Sequence, residues 1–166
     1  MRWTFTISIG VPIEEVFAFF DDPVATIRFQ EHAGQHLKES RLVEVSADGR
    51  RTIDLMMQAG TRSWTQTIVQ EVREPPSRLM ARSYTWTEDR ENRISTIATD
   101  RRFSPDGTGT RLDVAVTFSV ERPWRNPLAV VLNRFMGNTA GRLEMEHSLH
   151  AIAEYLEGRH RAGSLT

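Results

Sequence analysis

The side chains of this chain that could do chemistry are its histidines, two arginines among apolar neighbours, and a glutamine on a strand. Histidine is the commonest general base because it titrates near neutrality. His32 and His36 fall between a short helix and a strand. There they would act as a base or ligand contact at a pocket entrance, or else sit in water as ordinary loop residues. Near the C-terminus, His147 projects about 160° from an apolar helical stripe and His150 about 100°. The first should face solvent and the second the boundary. Glu144 and His147 make the Glu-x-x-His step of di-iron bundles. That chemistry needs a second such step and further inward carboxylates, so no metal and no cofactor is expected.

Arg142 lies about 20° from the centre of the same stripe, with Asn138 a similar distance to the other side. A charge turned toward a core is costly unless it is paired. Arg142 would bind a carboxylate, phosphate or enolate oxygen of a ligand, or would snorkel to the rim or pair with Glu146. On the strands, Gln66 alternates with Trp64 and Ile68 and points inward if Ile68 does. Ser83 and Thr85 share a face with Leu79 and Ala81. Thr99 and Arg101 share one with Ile97 and Phe103, and Asp100 or Asp113 would satisfy Arg101. Tyr84 and Trp86 fall opposite Leu79. Either a bulge turns them in, or they form an exposed aromatic patch suited to a partner. No nucleophile elbow, phosphate loop or zinc-protease motif occurs. Gly107-x-Gly109 reads as a hairpin, and Asp21-Asp22 beside Pro23 as a helix stop rather than a carboxylate pair.

These residues need a frame, and composition bounds it. A chain of 166 residues with 39% apolar content can fold as one domain. That domain is expected over residues 1–158, followed by a flexible polar tail at 159–166. The 21 basic and 22 acidic residues leave a net charge of −1, so electrostatic capture of nucleic acid is not expected. The absence of cysteine excludes disulfides, thiolate metal sites and a cysteine nucleophile. Lys38 is the sole lysine beside many scattered arginines, a pattern of coding bias more than of anion recognition. The N-terminus lacks the apolar run of a signal peptide, and the apolar stretch at Leu128–Leu132 is too short to span a bilayer. The expectation is a cytoplasmic protein without a membrane span, monomeric or homodimeric.

Trp3, Phe5, Ile7 and Ile9 alternate with polar residues and predict a strand. Pro12 then opens a helix carrying Ile13, Val16, Phe17 and Phe20, and a second short helix is predicted over about Val24 to Phe29. From about Gln35 to Val120 the pattern is six strands, punctuated by Asp48-Gly49, Ala59-Gly60, Pro75-Pro76 and Asp106-Gly107. A helical region is predicted from Asn126-Pro127 to about Glu157, kinked near Gly137–Gly141 and ended by Gly158. The result is an α+β fold in which a seven-stranded antiparallel sheet wraps a long C-terminal helix, with two short helices after the first strand. A sheet gripping one helix leaves a gap, and such gaps hold small molecules. Its walls are expected from Leu55, Met57, Trp64, Gln66, Val114 and Val116 on the strands. Phe135, Asn138, Arg142 and Met145 would line it from the helix.

Three segments carry a family resemblance. They are Val11-Pro12-Ile13-Glu14-Glu15-Val16-Phe17-Ala18-Phe19-Phe20-Asp21-Asp22-Pro23, Val72-Arg73-Glu74-Pro75-Pro76-Ser77-Arg78-Leu79, and Phe103-Ser104-Pro105-Asp106-Gly107-Thr108-Gly109-Thr110-Arg111-Leu112. In this order and spacing they resemble the START-like, polyketide cyclase/dehydrase superfamily (SRPBCC), over roughly residues 3–158. The resemblance implies the helix-grip fold. It does not choose among lipid carriers, aromatase/cyclases, hormone receptors, oxygenase domains and co-chaperone domains, because one fold hosts many functions. The leading expectation is a binding module for a small hydrophobic or amphipathic, lipid- or polyketide-like molecule. One alternative is an aromatase/cyclase- or dehydratase-like enzyme, with Arg142 or Arg101 steadying an enolate and Gln66 or a histidine moving protons. Another is a co-chaperone-like partner-binding domain.

Overall fold

The computed structural model describes residues 1–30, 36–86, 91, 93–120 and 140–163. Strand β1 (Arg2–Ile9) is followed by helices α1 (Ile13–Asp21) and α2 (Pro23–Gln30). Six strands come next: β2 (His36–Val45), β3 (Arg51–Ala59), β4 (Arg62–Glu74), β5 (Arg78–Trp86), β6 (Arg93–Asp106) and β7 (Gly109–Val120). Helix α3 (Ala140–Gly163) closes the described chain. The strands form one seven-stranded sheet in the order β1-β7-β6-β5-β4-β3-β2, with every neighbouring pair antiparallel. Five of those pairs are consecutive hairpins, and β1 returns to pair with β7. Gly49 and Gly107 take φ of 80° and 61° in two of the hairpin turns, a left-handed conformation that glycine adopts without steric cost.

Period-two alternation turns Phe5, Ile7 and Ile9 of β1 and Leu112, Val114 and Val116 of β7 to one face, where all six are buried. Leu149, Ile152 and Leu156 of α3 cover them. Each such side chain contributes roughly 1.5–3 kcal/mol of burial. Val16, Phe17 and Phe20 of α1 complete this core against Leu79 and Phe103. A second, smaller cluster of Ile53, Leu55 and Met57 packs with Val24, Leu37, Trp64 and Ile68.

The Asp21-Asp22-Pro23 stop works as two separate devices. Asp21 is buried, and its carboxylate accepts hydrogen bonds from Arg73 Nε at 3.0 Å and Nη2 at 2.9 Å, tying α1 to β4. Asp22 Oδ1 accepts from the Val24 amide at 2.9 Å and so satisfies a free donor at the start of α2.

The predicted helical region before Ala140 lies outside the described residues. Beyond it, α3 does not end at Gly158 but runs to Gly163, so residues 159–163 are helical. Contacts to the N-terminal elements hold this last stretch. The Gly10 amide donates to Glu157 Oε1 at 2.8 Å, and His160 Nδ1 lies 3.1 Å from Glu15 Oε1. A glycine ends a helix by adopting φ above zero, and Gly158 does not. No helix among the described residues is long and apolar enough to cross a membrane.

Candidate functional site

Between α3 and the inner face of β4–β7 lies a cavity of about 180 Å³. Its apolar wall comes from Ile68, Leu79, Ile97, Val114 and Val116 on the sheet and from Met145, Leu149 and Ile152 on α3. Phe20, Pro23 and Thr26 close one side. The polar groups are few. Gln66 Nε2 donates to Ser83 Oγ at 2.6 Å, bridging β4 and β5. Gln70 is held at both ends, since its amide nitrogen donates to the Asp21 carbonyl at 3.0 Å and its oxygen accepts from the Arg51 amide at 3.0 Å. It is a structural clamp facing the cavity.

Gln66, Val114, Val116 and Met145, expected on the cavity wall, are there. Leu55, Met57 and Trp64 share the inward face of their strands but belong to the cluster beside Val24. They do not line the cavity. Phe135 and Asn138 lie outside the described residues. Arg142 is exposed and absent from the wall. The buried face of α3 runs through Met145, Leu149, Ile152 and Leu156, and Gly141 faces Trp3. Arg142 stands three, seven and ten residues before Met145, Leu149 and Ile152, on the same helical stripe, yet it sits in the first turn of α3 and is exposed there. His147 and His150 are exposed, and His150 Nδ1 donates to the Glu146 carbonyl at 2.8 Å. No three of the described histidines, aspartates and glutamates are grouped to hold a metal ion.

The cation of this cavity is Arg101. It stands on β6 between Thr99 and Phe103, with backbone partners Leu79 on β5 and Val114 on β7. Its Nη1 donates to Thr99 Oγ1 at 3.1 Å, and its guanidinium carbon lies 5.2 Å from the Phe20 ring centre. Neither carboxylate expected to satisfy it does so. Asp100 projects from the other face and pairs with Arg78 at 3.0 Å and Arg102 at 3.6 Å. Asp113 is taken by Thr6 and Arg111. Burial pushes the Arg101 pKa down to about 10, so it stays charged at neutral pH. Among the described residues lining the cavity, Arg101 is the one ionisable side chain.

On the opposite face, Tyr84 and Trp86 are half-buried beneath Arg93, whose guanidinium carbon lies 5.2 Å and 5.9 Å from their ring centres. No bulge turns Tyr84 inward. The register shift of β5 against β6 falls between Thr85 and Trp86, after it.

A family model described as polyketide cyclase/dehydrase and lipid transport matches residues 2–157. The chain belongs to this family. Its helix-grip fold recurs in solved structures at low identity. A conserved protein from Geobacillus kaustophilus is 16% identical, with a TM-score of 0.66 over 94% of this chain and 95% of that one. A protein from Rhodobacter sphaeroides is 20% identical, with a TM-score of 0.64 over 95% and 93%. Ara h 8.0201 is 11% identical, with a TM-score of 0.63 over 94% and 97%. No curated protein sequence matches. At these identities the similar structures establish the fold, and the cavity must speak for the function.

Proposed function

We propose that the protein binds a small amphipathic molecule between the sheet and α3. The observation that carries this reading is the make-up of the cavity: an apolar wall on which Gln66, Ser83, Thr99 and Arg101 converge. Ligand sites are commonly built this way, with apolar surface for affinity and a few placed polar groups for orientation. The lipid-transport part of the family description supports it. Native mass spectrometry of freshly purified protein, followed by organic extraction, tests it. A retained small molecule should be present in the wild type and absent from Ile97→Trp, whose indole would fill the cavity. A folded wild type that carries nothing and shows no thermal shift with any fatty or aromatic compound would refute the reading.

A second reading, cyclisation or dehydration of a polyketide-like chain, draws on Arg101, since a fixed guanidinium stabilises a developing enolate oxygen. Turnover of a poly-β-ketone substrate that disappears with Arg101→Met would favour it over binding alone.

A further inference from the structure

We infer that the ligand of this cavity carries an oxyanion, most simply a carboxylate, and that Arg101 holds it. The inference rests on the cavity reading above and names the chemistry of its polar end. Three observations carry it. First, Arg101 points from β6 into the cavity, so any occupant meets its guanidinium. Second, its charge has no acidic partner among the described residues. Asp100 is held by Arg78 and Arg102, Asp113 by Thr6 and Arg111, and Asp21 by Arg73 and Gln70. Strand alternation puts Asp100 and Asp113 on the opposite face of the sheet, so neither reaches Arg101 without breaking its own pairing.

Third, the guanidinium is aimed and has donors to spare. The Phe20 ring lies against it at 5.2 Å, and the Thr99 hydroxyl takes one N–H at 3.1 Å. An arginine offers five N–H donors. Among the described residues no side-chain nitrogen or oxygen is sealed from solvent without a hydrogen-bond partner. The remaining Arg101 donors are therefore accessible, and Arg101 lines the cavity. A planar fork held on an aromatic face, with free N–H groups in an apolar chamber, matches a carboxylate better than a neutral ester or alcohol. The apolar walls at Ile97, Val116 and Met145 would take the hydrocarbon part.

Calorimetry with matched ligands tests this. Decanoic and naphthoic acids are compared with their methyl esters and with the corresponding alcohols, on the wild type, Arg101→Met, Arg101→Lys and Arg142→Met. The acids should bind the wild type roughly ten-fold or more tightly than the neutral compounds, the size of a charge-assisted hydrogen-bond pair. Arg101→Met should abolish that preference while the neutral compounds bind as before, which also shows that the variant is folded. Arg101→Lys should keep part of the preference, and Arg142→Met all of it. Equal binding of acids and neutral compounds by the wild type would overturn the oxyanion assignment and leave the cavity reading standing. A preference that survives Arg101→Met, or disappears with Arg142→Met, would overturn the assignment to Arg101. Failure of every compound to bind would overturn both.

Discussion

The Arg101 guanidinium rests on the face of Phe20, 5.2 Å from the ring centre, and this contact joins β6 to α1 across the cavity. The two residues matter for different reasons. Phe20 is buried and also meets the rings of Phe19 and Phe103. Phe20→Ala should cost about 3–5 kcal/mol. Arg101 bears the desolvation cost of a charge without an acidic partner among the described residues. Arg101→Met should leave stability unchanged or raise it by up to about 2 kcal/mol. Urea melts of the two variants separate these cases. A large loss with Arg101→Met would mean that the arginine is a structural element of the core.

Asp21 should be a stability residue. Its carboxylate receives Arg73 through two nitrogens and Gln70 through one. The Arg73 guanidinium is held above its ordinary range, first by the hydrogen bond to Asp21. Asp21→Ala should cost about 2–3 kcal/mol, between the values of exposed and fully buried pairs. A double-mutant cycle with Arg73→Ala should show clear coupling. Additive effects would mean that the pair contributes nothing.

Acid should weaken the fold through particular carboxylates. Asp100 is held below its ordinary value of 3.8, first by the hydrogen bond from Arg78. Asp113 is held below it first by the Thr6 hydroxyl. Asp48 is lowered to about 2, first by Ser46 and then by Arg50. A carboxylate with a depressed folded pKa contributes stability above its unfolded pKa and loses it as pH falls through the folded pKa. The melting temperature should therefore fall progressively below about pH 4, through the window where unfolded carboxylates bind protons first. Asp100→Asn should lower the melting temperature at neutral pH and flatten that acid limb. An acid limb unchanged in Asp100→Asn would rule this carboxylate out as a contributor.

Helix α3 should be indispensable. Deleting residues 143–166 removes Leu149, Ile152, Ala153 and Leu156, all buried against the sheet. Losses of roughly 2–5 kcal/mol for each large side chain exceed the stability of a typical domain. The truncated protein should be insoluble. A cooperative melt of a soluble truncation would show that the sheet closes without its helix.

The sequence by itself determined the elements and their faces, because both are local. A strand alternates with period two whatever lies around it. Residues such as Phe5, Ile7, Leu112 and Val114 could therefore be turned inward, and Gln66, Thr99 and Arg101 with them. Asp48-Gly49 and Asp106-Gly107 marked turns through backbone freedom that belongs to glycine itself. Three short segments sufficed for the family. Tertiary structure decided which inward residues share a chamber. Leu55, Met57 and Trp64 face the same way as Gln66, yet they pack in the cluster with Val24 rather than on the cavity wall. It also decided which arginine the cavity meets. Arg142 shares the helical stripe of Met145, Leu149 and Ile152, but it stands in the first turn of α3 and is exposed, whereas Arg101 of β6 lines the cavity. Whether Arg101 has an acid depends on pairings across strands, where Arg78 and Arg111 reach Asp100 and Asp113 on the outer face. Such contacts join residues far apart in the chain, and local periodicity carries no record of them.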